Sequence, residues 1–384
     1  MGSFLFWLSV LTLLFVLAVA IEFARGNRSL SRLKSLPPFQ GGDVPRVSVI
    51  VAARNEARKI EQGLGSLLAQ EYPNLEFIVM DDRSTDDTGA ILDRMAEKDP
   101  RLHIVHVTTL PRDWLGKTHA LHDGASRATG ELLLFTDADV VIESSVVSRV
   151  VGFVCRGNTD HVAIAPQAEM PGVFLNMFGG AFALFFGMYA QPWKARDPKS
   201  ARHIGIGAFN LVRTEAYRAI GGHRPIAMRP DDDMKLGKLI KKHGLRQEML
   251  LGEGLVTVEW YSSVGELIRG LEKNSFAGLE YNLPAVIAAG ITQLAVFVWP
   301  LLALLFTGGA TRWLNAAIIA VLAFLYVDNA ACHGMKRWHC LGLPVAAGLF
   351  VYIIWRATWR TLVDDGIDWR GTHYPLQELK ANRV

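Results

Sequence analysis

The chain is short of the features by which many protein classes announce themselves. Only three cysteines occur in 384 residues (Cys155, Cys332, Cys340), and no two form a C-x-x-C pair. A disulfide scaffold or a cysteine zinc site is therefore excluded, and the three read as small hydrophobes in a reducing compartment or a membrane. Neither sign of charge dominates: 40 Lys plus Arg against 37 Asp plus Glu leave a net +3, without the basic excess of a nucleic-acid binder. No internal repeat or low-complexity tract is present. The first strand is followed by Ala52-Ala53-Arg54-Asn55-Glu56, not G-x-G-x-x-G, which excludes a dinucleotide fingerprint there. P-loop, zinc and Ser/His/Asp signatures are missing as well.

Charge is scarce overall, at 20% against 50% hydrophobic residues, which excludes a disordered chain. Mean hydropathy is +0.21, so part of the apolar mass is expected in lipid. Phe4 to Ile21 is an uncharged run of 18 residues, enough for one crossing. Ala18-Val19-Ala20 resembles a signal-peptidase site, but nothing basic precedes the run. The expectation is an uncleaved anchor at 1–21 and a basic linker at 22–45. Arg25, Arg28, Arg32 and Lys34 put the downstream chain in the cytoplasm by the positive-inside rule.

Three more apolar runs, Leu283 to Phe306, Trp313 to Ala331 and Leu343 to Trp355, define a C-terminal membrane region at 283–357 with two or three spans, followed by a tail at 358–384. The loop with Lys336, Arg337 and His339 is expected in the cytoplasm. Strict alternation would then export the basic tail, against the charge rule, so one of the runs does not cross.

Between the membrane regions the pattern changes to alternating strands and helices. Val47 to Ala53, Leu75 to Met80, Leu102 to Val107 and Glu131 to Thr136 read as buried strands. Helical spacing follows in Asn55 to Gln70, Ser84 to Lys98 and Lys117 to Ala128. That alternation predicts an α/β domain with a mostly parallel sheet, at 46–282. Ligands collect at the carboxyl ends of such strands, and acids stand there: Glu56, Asp82, Asp137-Ala138-Asp139 and, later, Asp231-Asp232-Asp233. Single acids at strand ends also serve as caps and turn formers. Two carboxylates two residues apart after an apolar strand suit a hard divalent cation, Mg²⁺ or Mn²⁺, and a diphosphate.

Five stretches carry a family resemblance: VSVIVAARNEARKI, FIVMDDRSTDDT, DWLGKTHALHDGASRATGELLLFTDADV, GIGAFNLVRTEAYRAIGG and DDDMKLGKLIKKHG. The chain resembles a family 2 glycosyltransferase, an inverting enzyme with the GT-A nucleotide-diphospho-sugar transferase fold, here with transmembrane helices at both ends. The resemblance implies that Glu56 and Asp82 hold the nucleoside and that Lys117 meets the donor phosphates. It makes Asp137 and Asp139 the D-x-D pair, with Asp139 the closer metal ligand. The usual Glu-Asp becomes Asp232-Asp233, with Asp233 the general base, while Asp231 is left without a role beyond capping the following helix.

One departure stands out. Many membrane relatives carry Q-x-x-R-W after the base, where this chain reads Arg269-Gly270-Leu271-Glu272-Lys273-Asn274. Arg269 and Lys273, four apart on one helical face, either bind the diphosphate or snorkel beside the membrane. The missing motif argues against a processive polysaccharide synthase. WLGKTHAL, the acidic triplet, the C-terminal spans and the tail Trp369-Arg370-Gly371-Thr372-His373-Tyr374 look most like transferases associated with hopanoid and carotenoid pathways.

Gly172 to Trp193 is uncharged over 22 residues, yet it lies between Asp139 and Asp233. If those share a site, one crossing would part them, so the run is expected to be an interfacial helix or a buried core helix. Trp114 and Trp260-Tyr261 either add to an aromatic rim there or pack in the core, and Gly205-Ile206-Gly207 reads as a loop beside the acceptor. The expected enzyme is multi-pass in the cytoplasmic membrane with its catalytic domain in the cytoplasm. It would move a sugar from a uridine-diphosphate-type donor to a hydroxyl or carboxyl of a lipid such as a hopanoid, a carotenoid or another glycolipid precursor. The alternatives are a glycan-chain or exopolysaccharide transferase, and a non-catalytic nucleotide-sugar binder, which predicts the loss of Asp139 or Asp233.

Overall fold

The computed structural model describes residues 2–384. The chain opens with helix α1 (Gly2–Arg28) and continues through β1 (Ser31–Arg32), β2 (Val47–Ala53), α2 (Ile60–Leu68), β3 (Leu75–Asp82), α3 (Thr88–Ala96) and β4 (Leu102–Val107). Next come α4 (Gly116–Arg127), β5 (Leu132–Asp137), β6 (Val140–Ile142), α5 (Val146–Gly157), β7 (His161–Ala165) and β8 (Gln167–Glu169). Helix α6 (Gly172–Ala190) precedes β9 (Asn210–Arg213), α7 (Thr214–Ala219), α8 (Asp232–Lys242), β10 (Gln247–Leu251) and β11 (Val256–Glu259). The last part is α9 (Val264–Gly278), α10 (Leu283–Phe297), α11 (Trp299–Phe306), α12 (Gly309–Cys332), α13 (Leu343–Val363), the hairpin β12 (Gly366–Trp369) and β13 (Thr372–Pro375), and α14 (Leu376–Ala381).

These elements fall into two units, one built from Leu30–Ala168, Pro192–Glu259 and Ala381–Val384, the other from the chain through Ser29, Glu169–Gln191 and Trp260–Lys380. The first is the α/β unit. Its main sheet has eight strands in the order β1-β10-β7-β9-β5-β2-β3-β4. All neighbours run parallel except β9, which is antiparallel to both β5 and β7. Strand residues alternate between faces, so Val47, Val49 and Val51 meet Ile60, Leu64 and Leu67 of α2 and Val147 and Val150 of α5 in one core layer. On the other face Ile50, Met80 and Phe135 meet Leu121 of α4 and Leu236 and Ile240 of α8. A sheet covered on both faces needs apolar residues on both, which is why β2 and β3 read as continuous buried runs.

The second unit is helical. It holds four helices long and apolar enough to cross a membrane, α1, α6, α12 and the stretch through α13, and a fifth candidate in the pair α10 and α11, bent by 47°. The bend falls at Val298, just before Pro300, whose ring carries no N–H to continue the helix. Helix α1 runs past the expected anchor into the first seven residues of the linker, to Arg28, and places Arg25 and Arg28 in its last turn, where cations complement the helix dipole. Helix α13 outlasts its apolar run by two turns because Glu272 of α9 pairs with Arg356 and, at 3.6 Å, with Arg360. The tail is ordered: Arg370 and Gly371 both take positive φ (49° and 80°), the two-residue turn that closes a tight hairpin.

Candidate active site

The site is assembled at the carboxyl ends of β2, β3 and β5. After β2 the chain turns at Asn55, in the left-handed region (φ 55°). Its side-chain oxygen accepts from Thr85 N–H (2.8 Å), and the N–H of Glu56 donates to Thr88 Oγ1 (2.8 Å). The loops after β2 and β3 are thereby laced together, and Glu56 is half-buried beside the first of them.

Asp82 ends β3 and is 4% exposed. Arg83 grips it with two bonds, Nε to Oδ1 (2.7 Å) and Nη2 to Oδ2 (3.0 Å), and Arg54 stands 3.7 Å away. Neither arginine was singled out from sequence. A methyl group on Gly116 would lie 2.3 Å from Asp82 Oδ2, so glycine is what lets the start of α4 come up to this carboxylate. The next residue, Lys117, then reaches across to Asp137 Oδ1 (2.7 Å) and stands 3.9 Å from Asp232 Oδ1. Burial would lower its pKa, but Asp137, Asp232 and Asp233 outweigh burial and hold it above the ordinary lysine value.

Asp137 ends β5 and Asp139 follows it. Asp139 is contacted by Lys59 at 3.4 Å, a lysine that also binds Glu259 through its carbonyl oxygen (2.8 Å) and its carboxylate (3.7 Å). Burial first, then the nearby Asp137 carboxylate, hold Asp139 above the usual carboxylate range against the pull of Lys59; Glu56 pushes the same way. Among the described residues no three acidic, histidine or cysteine groups already converge to enclose a metal. The donor set still fits Mg²⁺ or Mn²⁺. It is all oxygen, it is crowded with like charge, and a magnesium-type ion is commonly held by one or two carboxylates together with substrate phosphates.

Asp233 enters from the other side, in the first turn of α8. Gly207 N–H donates to its Oδ2 (2.8 Å) and Met234 N–H to its Oδ1 (2.7 Å). Burial raises its pKa, opposed by Lys117 and the two N–H groups. Glycines again permit the approach. A methyl group on Gly205 would stand 1.8 Å from the Asp233 carbonyl oxygen, and one on Gly237 1.9 Å from that of Ile204. One on Gly207 would lie 2.8 Å from Asp137 Oδ2 and 3.3 Å from Lys117 Nζ. The Gly205-Ile206-Gly207 loop therefore fills the space between the D-x-D pair and the start of α8.

Lys117, Asp137, Gly207, Asp232 and Asp233 line one small hollow with His223. His223 is 1% exposed, its Nδ1 lies 2.7 Å from the Tyr217 hydroxyl, and burial, with His122 and Lys117, pulls its pKa down to about 3. It is a neutral wall at physiological pH, unused in the sequence argument because a lone histidine carries no motif.

The remaining expected residues have other surroundings. Asp231 does not cap α8 through its side chain. It binds the buried Arg229 with two bonds (2.8 and 3.0 Å) and lies 3.3 Å from Lys235. Trp114 is 6% exposed and packs on His122 and His119, with the Arg224 guanidinium 5.3 Å from its ring centre, so it forms no rim. Trp260 packs on Phe182 and Tyr261 within the helical unit. Arg269 and Lys273 lie on α9, also in the helical unit; Arg269 is exposed and the Lys273 ammonium sits 4.6 Å from the Trp369 ring centre.

Comparison with known proteins gives the following. Residues 48–221 match the Glycosyl transferase family 2 model. A 4,4'-diaponeurosporenoate glycosyltransferase of Staphylococcus haemolyticus is 24% identical over 250 residues, 64% of this chain and 65% of that protein. The protein of the same name from Staphylococcus aureus is 25% identical over 246 residues, 63% of this chain and 64% of the other. The match thus spans just under two thirds of the length of these relatives. Among solved structures, the mannosyltransferase PcManGT from Pyrobaculum calidifontis, in complex with GDP-Man and Mn²⁺, shares the fold with a TM-score of 0.55. It is 21% identical, and the match covers 94% of this chain and 99% of PcManGT.

Proposed function

We propose that this chain, a family 2 glycosyltransferase over residues 48–221, moves a sugar from a nucleoside diphosphate donor to a lipid acceptor with inversion at the anomeric carbon. The observation that carries the reading is the meeting of Asp233 with the Lys117–Asp137 pair across Gly207. A carboxylate fixed by two backbone N–H groups, with a pKa raised by burial, is suited to take the proton of an attacking hydroxyl near neutral pH. An acceptor carboxylate would need orientation rather than deprotonation. Lys117, held charged, meets the negative charge that develops on the departing diphosphate. Attack opposite the leaving group needs one base, and the paired carboxylates of glycoside hydrolases have no part in it. Mg²⁺ or Mn²⁺ held by Asp137 and Asp139 would neutralise diphosphate charge.

Asp82, clamped by Arg83, and Glu56 are assigned to the nucleoside, and Asp232 to the support of Lys117. Arg269 is a candidate partner of the diphosphate; Lys273 supports the tail through Trp369. The two named relatives act, by their names, on a carotenoid acid, and the apolar helical unit is consistent with an acceptor of that lipid class here. Uridine is the expected nucleoside, and guanosine is included in the test because the solved neighbour binds GDP-Man.

The test is a donor screen on the detergent-purified chain with Mg²⁺ or Mn²⁺, following nucleoside diphosphate release with and without host lipid extract. Release requiring metal and lipid supports the reading. Asp233→Asn should then slow transfer by about 10²–10⁴-fold, the range for a general base, with nucleotide binding retained. Transfer at the normal rate by that variant would remove the base assignment.

A further inference from the structure

The α/β unit is a folded body that a bilayer cannot cut, since backbone groups of sheet and loops find no partners in lipid. Every point where the chain leaves or re-enters this unit therefore lies on one side of the membrane. Those points are after Ser29, at both ends of Glu169–Gln191, at Trp260 and after Lys380. The last return is pinned by Asn382, whose Oδ1 accepts from Met228 N–H (3.0 Å) and whose Nδ2 donates to the Pro225 carbonyl (2.9 Å). Helix α6 thus starts and ends on the same side. Between Trp260 and Lys380 the number of crossings must be even.

Three polar pairs fix the direction of α12. Asn315 Nδ2 donates to Ser9 Oγ (2.8 Å), Asn27 Nδ2 donates to Asn329 Oδ1 (3.3 Å), and Arg28 forms an ion pair with Asp328. Start meets start and end meets end, so α1 and α12 run parallel. Helix α1 delivers the chain to the α/β side, and α12 ends on that side too. The bent pair α10–α11 must then carry the chain outward. Helix α13 begins and ends where α12 ended.

We infer that α1, α10–α11 and α12 cross the membrane, whereas α6 and α13 are an in-plane pair seated in the leaflet on the α/β side, with the lipid headgroup and acyl boundary as their partner. Helix α13 presents Val345 (60% exposed), Tyr352 (50%), Trp355 (50%), Trp359 (70%) and Val363 (61%). Their spacing of three, four or seven residues puts them on one helical face, and Trp and Tyr are the side chains enriched at the membrane–water boundary. Phe350 joins the two helices, its ring centre 6.5, 5.9 and 5.6 Å from those of Phe178, Phe182 and Phe185. The charge pattern agrees. Arg25, Arg28, Lys336, Arg337, Arg356 and Arg360 all come to the α/β side, against Arg312 on the other. The basic tail is no longer exported, which removes the conflict that strict alternation of spans created.

The test uses the full chain in membrane vesicles of both orientations, with a membrane-impermeant maleimide and single cysteines in an otherwise cysteine-free background. Native Cys155, exposed on α5, reports the α/β side. Lys336→Cys and Asp364→Cys should label in the same vesicles as Cys155, and Gly308→Cys in the opposite ones. Labelling of Asp364→Cys together with Gly308→Cys would overturn the inference. An environment-sensitive probe on Trp359→Cys should be quenched most by lipids brominated near the headgroup; strongest quenching by bromine at the chain centre would also overturn it. Neither readout depends on sugar transfer, so failure here is separable from failure of the proposed reaction.

Discussion

The carboxyl ends of β3 and β5 flank that of β2, and each carries two aspartates, yet the two ends are electrically opposite. At β3 both aspartates have a basic partner. Asp81 binds His106 (2.9 Å), Asp82 takes both arms of Arg83, and Arg54 stands behind. At β5 Asp137 has Lys117 at 2.7 Å, whereas Asp139 meets at 3.4 Å a lysine that it shares with Glu259, and burial and Asp137 hold its pKa up. The residue types are the same; the partners decide which pair is held by basic side chains and which is left needing positive charge. A cation-hungry carboxylate is a better marker of chemistry than an acid at a strand end.

The largest effect expected at the strand ends separates the two directly. Asp139→Asn should lower transfer by about 10²–10³-fold, the equivalent of losing a few kcal/mol of charge stabilisation at a metal, while leaving folding stability unchanged or slightly higher. Asp82→Asn should instead destabilise by about 1–3 kcal/mol, because a part-buried two-bond pair with Arg83 loses its carboxylate charge. The sign for Asp139 and Asp233 follows from linkage. An acid whose folded pKa lies above its ordinary 3.8 binds its proton more tightly when folded, so it adds stability as pH falls through the folded value and subtracts it at neutral pH. Metal-free protein should therefore show a smaller acid-side loss of stability than its Asn variants between neutral pH and about 4. Urea titrations at several pH values check this, and a larger loss in the parent would break the contrast.

The next effect lies within the acidic triplet. Asp231→Asn should cost about 3 kcal/mol or more, since it takes the carboxylate charge from a two-bond pair with Arg229, 1% exposed. Asp233→Asn, two residues away, should cost nothing in stability and nearly everything in turnover. Thermal melts beside a transfer assay separate the two. Equal melting points would mean that the Arg229–Asp231 pair is not the anchor of α8.

Much of this was legible because it is local. The first four long strands, the acids at their ends and Gly116-Lys117 are written in consecutive residues, and the structure places them as read. What was missed is tertiary. Arg54 and Lys59 matter only because separate loops come together, Arg83 matters because the fold buries its neighbour Asp82, and Asp231 looked like a cap because nothing in sequence marks Arg229 as buried. The strands after Asp160 went unread for a related reason. β9 runs antiparallel between two parallel neighbours, and β10 joins β7 across a long separation, so neither follows from local alternation. In the helical unit the apolar runs were visible, but α13 was cut short at its arginines because Glu272, which neutralises them, lies 84 residues earlier.

The smallest effect is expected at Arg83, where two terms oppose. Its φ of 56° is left-handed, which costs a non-glycine residue about 1–2 kcal/mol. Arg83→Gly removes that strain but makes the unfolded chain looser by about 0.4–1 kcal/mol. It also deletes a two-bond charge pair to Asp82 that contributes about 1.5–3 kcal/mol. The net should be a loss of about 1 kcal/mol, with donor affinity falling further than stability as Asp82 loses its orientation. Arg83→Asn tolerates the same backbone and loses only the pair, so it should be close to the glycine variant in stability. If Arg83→Gly melts higher than the parent, strain outweighs the clamp, and the matched end at β3 is less settled than its short contacts suggest.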